Sequence, residues 1–253
     1  MRAVVLTGTG PRHRYFTWQA ARRFEIAAAM CEEKKNHYET QRQESAAVRG
    51  HFARLGETER AWFPADSEPP ALRPVADINA AACVETARAA RADIVLLFGT
   101  AILRQPWLEA FPERIVNLHL GLSPFYRGSA TLFWPFYYRE PECVGATIHL
   151  AVERVDAGAM LRRVLPDWRA DDDYYALTWR LVRKSIDETA DTAAAYLEGR
   201  VAPLPQEPGA SRLCRKAEFT EAALRTVLDY VGGGLGAAEI ARIKASDKCR
   251  CSP

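Results

Sequence analysis

The order of a buried strand, a glycine-rich turn and a helix at the N-terminus constrains the fold of this chain more than any other feature. Ala3–Gly8 (AVVLTG) is an apolar run that ends in glycine, which is typical of a buried parallel strand. The turn GTGPRHR comes next, and the apolar spacing after it predicts a helix over Tyr15–Glu33. Strand, turn and helix in this order open many doubly wound sheets.

The same alternation continues along the chain. Short apolar runs predict four further strands: Asp93–Phe98, Ile115–Leu120, Ala146–Ala151 and Met160–Leu165. Helices are predicted over Asp77–Ala90, Pro106–Phe111, Ser129–Tyr138, and from the capping residues Asp171–Asp173 to Leu197, closed by Gly199. The sequence therefore predicts an α/β fold.

The 253 residues suffice for one large domain with a small addition. We expect the main domain to span 1–199 and a small C-terminal appendage, with one helix over Thr220–Val231, to span 200–253. The charged segment Lys34–Pro64 is predicted to form one or two amphipathic helices outside the sheet. Its inward-facing residues are predicted to be Val48, Phe52, Leu55 and Trp62.

Composition excludes several classes of protein. The net charge of +2 gives no reason to expect nucleic acid or an anionic membrane as partner. No stretch approaches the roughly 20 apolar residues of a membrane span, and MRAVVLTGTG does not resemble a signal peptide. The six cysteines lack a disulfide-framework spacing, so we expect a cytoplasmic protein. Cys249 and Cys251 do not make a tetrahedral site, and we expect no metal.

Three polar residues lie at or between strand ends, where open α/β sheets place their ligands. Asn117 and His119 are two residues apart on one strand and leave the same face, while Asp156 lies in a loop between two strands. The amide and a protonated imidazole could hold a developing oxyanion, and the carboxylate could raise the imidazole pKa and take a proton from an attacking amine. On spacing alone, the simpler interpretation is favoured: Asn117 and His119 satisfy a strand end, and Asp156 satisfies a turn.

Motifs around these residues resemble the folate-dependent formyltransferase family. They are NLHLGLSPFYRG (117–128), GATIH (145–149) and RVDAGAM (154–160). The resemblance implies a Rossmann-like, mostly parallel sheet, catalysis by Asn117, His119 and Asp156, and 10-formyltetrahydrofolate as formyl donor. It also makes residues 1–199 the catalytic domain, and we expect a homodimer. Gly121 and Ser123 depart from the Ser and Leu that many members carry. His149 is assigned a structural role.

The resemblance further implies two binding regions. The pterin ring of the donor would lie against two segments: Leu97, Phe98, Gly99, Thr100 and Ile102, and Val152, Glu153, Arg154 and Val155. The alternative for the first segment is a plain strand-to-helix turn. The turn with Gly8, Gly10, Arg12 and Arg14 would hold an acceptor phosphate at a helix N-terminus, or is a tight turn with solvated arginines. Arg127 and Trp134 are further candidates for acceptor binding.

The acceptor is the least constrained part of the prediction. Methionyl-tRNA formyltransferases carry a sizeable C-terminal nucleic-acid-binding domain, whereas 200–253 is short and not notably basic. We therefore expect the formyl group to be transferred to the amine of a small, phosphate-bearing acceptor. The leading candidate is a nucleotide-linked amino sugar, and the second candidate is glycinamide ribonucleotide. Hydrolysis of 10-formyltetrahydrofolate by the same residues and a non-catalytic nucleotide-binding module remain as alternatives.

Overall fold

A computed structural model describes residues 1–32, 45–64, 69–207 and 211–249. Its main feature is a seven-stranded sheet in the order β3-β2-β1-β4-β5-β7-β8. The strands are β1 (Arg2–Thr7), β2 (Glu25–Glu32), β3 (Arg73–Val75), β4 (Ile94–Phe98), β5 (Ile115–His119), β7 (Ala146–Leu150) and β8 (Met160–Val164). The pairs from β3 to β5 are parallel, and β7 is antiparallel to both β5 and β8. The predicted α/β, mostly parallel sheet is confirmed.

Helices cover both faces of this sheet. They are α1 (Pro11–Ala21), α2 (Ala46–Trp62), α3 (Ala81–Ala89), α4 (Gln105–Ala110), α5 (Trp134–Tyr137), α6 (Tyr174–Leu197), α7 (Glu221–Val231) and α8 (Gly236–Ala245). The predicted cap of α6 is present, since the Asp173 carboxylate accepts the Ala176 N–H at 2.8 Å. The helix is followed by Gly199 at φ +71°.

The apolar core forms two layers because successive strand residues point to opposite faces. In β1, Ala3 and Val5 pack into the layer beneath α1, α2 and α6, while Val4 and Leu6 pack into the layer beneath α3 and α4. Of the residues predicted to face inward on the charged segment, Val48 and Phe52 are buried, and Leu55 and Trp62 pack against the first layer. Residues 33–44 of that segment lie outside the described residues.

The helix predicted over Tyr15–Glu33 is wrong in its second half. The helix ends at Ala21, and Glu25–Glu32 forms β2, an inner strand between β1 and β3. The run EIAAAMCE has the alanines of a helix, but parallel pairing on both edges outweighs that weak local preference. Two residues counted on the predicted helical face, Phe24 and Cys31, are buried outside the helix.

The helix predicted over Ser129–Tyr138 is also too long. Only Trp134–Tyr137 is helical, because Ala130 has φ +55° and cannot continue a right-handed helix. Just before it, Tyr126–Gly128 forms the short strand β6, which pairs in parallel with β9 (Arg212–Cys214).

The C-terminal residues pack onto the rest of the chain. Besides the predicted helix α7, they form β9 and α8. Cys214, Phe219, Leu224 and Val227 are buried in the same core layer as α1 and α6. The division at residue 199 stays a prediction. Residues 65–68, 208–210 and 250–253, with Cys251 of the tail, lie outside the described part.

Candidate active site

The three predicted residues lie close together. Asn117 and His119 are in the last part of β5, and Asp156 is in the loop between β7 and β8. The His119 Nδ1 atom is 3.4 Å from the Asp156 Oδ2 atom, and the side chains of both are nearly buried. Asn117 and Asp156 both line one cleft. Asp156 has φ +51°, a left-handed conformation that aspartate tolerates better than most residues. The sequence prediction that these groups converge therefore agrees with the observed geometry.

The electrostatics of the pair differ from the prediction in one respect. The carboxylate was expected to raise the pKa of His119, but burial has the larger effect and lowers it. Burial also opposes ionisation of Asp156, yet the nearby rings of His149 and His119 and the Gly128 N–H outweigh burial and hold its pKa at about 2. At neutral pH the geometry thus combines a neutral imidazole with an ionised carboxylate.

Hydrogen bonds fix the orientation of His119. Its Nε2 atom lies 3.0 Å from the backbone oxygen of Tyr126, so Nε2 carries the hydrogen and donates it. The Nδ1 atom then faces Asp156 as an acceptor. Two residues further along β6, the Gly128 N–H donates to Asp156 Oδ2 at 2.9 Å. The short strand β6 therefore holds both members of the pair.

The sequence analysis missed the part that His149 plays in this geometry. On β7, its Nδ1–H donates to the Leu150 oxygen at 2.8 Å, so Nε2 accepts from Asn117 Nδ2 at 3.0 Å. The same Nε2 atom is 3.7 Å from Asp156 Oδ1. His149 therefore orients the Asn117 amide, and its place on the strand paired directly with β5 could have indicated this.

The cleft beside the cluster is open to solvent, and the space within it, including its solvent-open part, amounts to about 540 Å³. Six residues of the predicted pterin region line it: Leu97, Gly99, Thr100, Ile102, Val152 and Val155. The other three do not line the cleft, and their part in donor binding stays a prediction. Phe98 is buried and its backbone oxygen accepts from Thr7, Glu153 lines a neighbouring hollow, and Arg154 is exposed.

One wall of the cleft is held by two residues that sequence reasoning overlooked. Glu32, at the end of β2, accepts the Ala101 N–H at 2.8 Å and the Ile78 N–H at 3.0 Å. Asn79 donates to the Ile102 oxygen at 3.1 Å. A buried carboxylate at the end of an inner strand was the available signal, but the incorrect helix prediction over residues 25–32 concealed it.

The turn predicted to hold a phosphate carries a carboxylate of the chain itself. Glu59 of α2 accepts the Arg12 backbone N–H at 3.2 Å and the Arg12 Nη1 hydrogen at 2.8 Å, at the N-terminus of α1. A helix N-terminus favours an anion, and Glu59 already supplies one. Arg14 is exposed. Glu59 argues against a phosphate at Gly8, Gly10 and Arg12, and the role of this turn in acceptor binding stays a prediction.

The two other acceptor candidates are also engaged within the protein. Trp134 is only 2% exposed and donates its indole N–H to the Ser129 oxygen, so its ring belongs to the core. Arg127 donates to Ser211 Oγ at 2.7 Å and to the Val155 oxygen at 3.5 Å. Arg127 thereby joins the loop before Asp156 to the C-terminal segment, while Trp134 offers no face to an acceptor.

Gly121 lies directly beside His119. A Cβ atom at this position would come within 2.3 Å of His119 Nε2 and 2.8 Å of the Tyr126 oxygen. We expect Gly121→Ala to break the bond between these two groups and to lower kcat about 100-fold, because such misplacement of a reacting group costs roughly this factor. Steady-state kinetics tests this. In the control Gly233→Ala, a Cβ meets nothing within 4 Å, so kcat should not change. Parental kcat in folded Gly121→Ala would contradict the assigned geometry.

Arg12→Ala is expected to affect stability and not acceptor binding. The substitution leaves the Glu59 carboxylate, whose side chain is 11% exposed, without its guanidinium partner. Losing a hydrogen bond to a charged group costs about 1.5–3 kcal/mol. The melting temperature should therefore fall by several degrees while the acceptor KM stays within about twofold. A large rise in acceptor KM with unchanged melting temperature would restore the phosphate interpretation of this turn.

Fold and site together define the class of protein: a Rossmann-like α/β protein with an amide, an imidazole and a carboxylate beside a strand-end cleft. The family model described as formyl transferase matches residues 3–187. The chain belongs to the formyl transferase family, and the resemblance predicted from the motifs is confirmed.

Curated relatives match part of the chain. The methionyl-tRNA formyltransferase of Pelobacter propionicus is 33% identical over 136 residues, which cover 53% of this chain and 42% of the relative. That of Bifidobacterium adolescentis is 30% identical over 139 residues, covering 55% and 43%. The match thus spans less than half the length of these relatives.

Solved structures share the fold over most of their length. The formyltransferase PseJ from Anoxybacillus kamchatkensis, in complex with a UDP-linked formamido sugar and tetrahydrofolate, has a TM-score of 0.53 and 16% identity, covering 92% of this chain and 95% of that one. A sugar N-formyltransferase from Shewanella has a TM-score of 0.58 and 15% identity, covering 90% of this chain and 86% of that one. Glycinamide ribonucleotide transformylase 1 from Symbiobacterium toebii has a TM-score of 0.55 and 19% identity, covering 81% of this chain and 94% of that one. In the described part of the chain, no helix has the length and apolar character to cross a membrane.

Proposed function

We propose that this protein is a folate-dependent N-formyltransferase that moves the formyl group of 10-formyltetrahydrofolate to the amine of a nucleotide-linked amino sugar. The observation that carries the proposal is that Asn117 and Asp156 line one cleft and that Asp156 lies against His119. Family membership supports the reaction. The acceptor is the finer part of the proposal, and the experiment below decides it.

The donor supplies a formyl carbon that an amine can attack. In this proposal Asn117 donates to the formyl oxygen as negative charge develops there, since an amide NH2 has two hydrogens and His149 takes only one. The Asp156–His119 pair accepts the proton that the attacking nitrogen must lose, and the proton is returned to N10 of the folate as the bond between N10 and the formyl carbon breaks. A neutral Nδ1 atom next to an ionised carboxylate can take that proton and keep it stabilised.

The residues of the cleft fit a flat heteroaromatic ring with polar edges. Leu97, Ile102 and Val152 offer apolar contact, and the backbone on both sides offers donors and acceptors. Ile102 and Val152 are 62% and 44% exposed and both line the cleft, so it presents two apolar side chains that a ligand could cover. These features support a donor site between the loop after β4 and the loop after β7.

The shared fold favours a nucleotide-linked amino sugar as acceptor. The sugar N-formyltransferases resemble this chain over most of both lengths, and the structure of the first holds a UDP-linked formamido sugar together with tetrahydrofolate. Glu59 occupies the turn where an acceptor phosphate was expected, and because both candidate acceptors carry phosphate, this turn does not distinguish between them. A nucleotide-linked amino sugar therefore remains the first choice.

A competition assay tests this assignment. The protein would be given 10-formyltetrahydrofolate with a UDP-linked 4-amino sugar, a dTDP-linked 3-amino sugar, glycinamide ribonucleotide, methionyl-tRNA or no amine. We expect N-formylation of a nucleotide amino sugar with kcat/KM at least 100-fold above the other classes. Preferred formylation of either of the other acceptors, or formate release that needs no amine, would overturn the assignment.

A further inference from the structure

The side chain of Gln206, in the segment after α6, contacts the Asp156 loop. Gln206 Nε2 lies 2.9 Å from the Asp156 backbone oxygen and 2.8 Å from the Gly158 backbone oxygen. A carboxamide NH2 has two hydrogens, so Gln206 can donate to both carbonyl groups at once. These two carbonyl groups lie on either side of Ala157 in the tight turn that presents the Asp156 side chain.

That turn needs external support. Asp156 has φ +51°, a left-handed conformation that an L-residue keeps only where the surrounding structure holds it. At Gly158, a Cβ would come within 1.7 Å of the Leu150 oxygen, so the turn is packed tightly against β7. The Gln206 amide bridges the turn from the side that β7 does not cover.

The position of Gln206 is itself fixed. Leu204 and Met160 exchange backbone hydrogen bonds at 2.7 and 2.8 Å, which holds the segment against the first residue of β8. Further along, β9 pairs with β6, and Gly128 of β6 donates to the Asp156 carboxylate. Residues beyond α6 therefore brace the backbone of Asp156 directly and its carboxylate indirectly.

We propose that Gln206 is a positioning residue for Asp156, whose carboxamide holds the turn in the conformation that brings the carboxylate to His119. The proposal rests on the proposed function, since it assigns Gln206 to the same site. Both hydrogen bonds of the Gln206 amide go to the backbone of the Asp156 turn, so the role assigned to Gln206 is positioning and not catalytic.

Gln206→Glu tests the proposal because it keeps the shape of the side chain and replaces both donor hydrogens with an oxygen that faces two carbonyl oxygens. We expect kcat to fall at least tenfold while the donor and acceptor KM values stay within about threefold. Gln206→Met, which is similar in size and uncharged, should also lower kcat. Gln105→Glu is the matched control, because it makes the same substitution at an exposed position of α4, and it should leave kcat unchanged.

Asp156→Asn in the same assay separates the two proposals. If Asp156→Asn keeps parental turnover, the proposed function is wrong. If Asp156→Asn loses turnover while folded Gln206→Glu or Gln206→Met keeps parental kcat, only the positioning role is wrong. A fall in kcat in both Gln206 variants, with near-parental KM and melting temperature, is the result that the proposal requires.

Discussion

Asp156→Asn is expected to lower kcat by at least about 10²–10³-fold in a protein that remains folded. The substitution keeps the size of the side chain but removes the charge that faces His119 Nδ1 at 3.4 Å. Without the carboxylate, the proton of the attacking amine has no stabilised place to go. His119→Ala and Asn117→Ala should show losses of similar size, because removal of one group that stabilises developing charge typically costs about this factor.

Stopped-flow or steady-state kinetics of formyl transfer tests this prediction, and circular dichroism confirms that each variant is folded. Asp167→Asn is the control, since its carboxylate is 61% exposed and pairs with Lys184. The pH profile adds a second readout. Burial lowers the pKa of His119 and Asp156 raises it, so the acid limb of residual activity in Asp156→Asn should move to lower pH. Near-parental turnover in His119→Ala would contradict the mechanism.

Gly99→Ala is expected to weaken donor binding at least tenfold. Gly99 has φ +77°, and a Cβ at this position would come within 2.3 Å of His13 Cε1. The His13 ring cannot easily yield, because it is buried and its Nδ1 atom bonds to Thr7 Oγ1 at 2.9 Å. The backbone of the loop must therefore move, and with it the wall of the cleft.

Calorimetry with 5-formyltetrahydrofolate as a stable donor analogue measures this effect. Gly50 is at an exposed position of α2, where a Cβ meets nothing within 4 Å. The control variant Gly50→Ala should therefore bind the analogue like the parent. Should Gly99→Ala prove unstable, Ile102→Ser at the exposed rim provides a second variant with weakened binding. Parental affinity in both variants would place the donor elsewhere.

The sequence predicted the parts of this protein that depend on local pattern. Buried strands such as β4 are recognisable from an apolar run, and the motif around Asn117 and His119 indicated both family and cluster. The sequence failed at β2, because the alanines of EIAAAMCE fit a helix and only pairing with β1 and β3 makes them a strand.

The other missed features depend on contacts between distant parts of the chain. Glu59 reaches Arg12 across 47 positions, and Gln206 reaches Asp156 across 50. No local spacing indicates such partners. The pKa of His119 was predicted in the wrong direction for a related reason, since burial is a property of the whole fold and here exceeds the effect of one neighbouring carboxylate.

The fate of a labelled formyl carbon in a single turnover tests the central claim most directly. The protein would be mixed in excess with [¹³C-formyl]10-formyltetrahydrofolate and a UDP-linked 4-amino sugar, and the products followed by NMR and mass spectrometry. The account predicts that the label appears as an N-formyl group on the sugar nitrogen, in equal amount to the tetrahydrofolate released, and that Asp156→Asn abolishes this transfer. Label that appears as formate at a rate independent of the amine, or that stays on the donor, would contradict it.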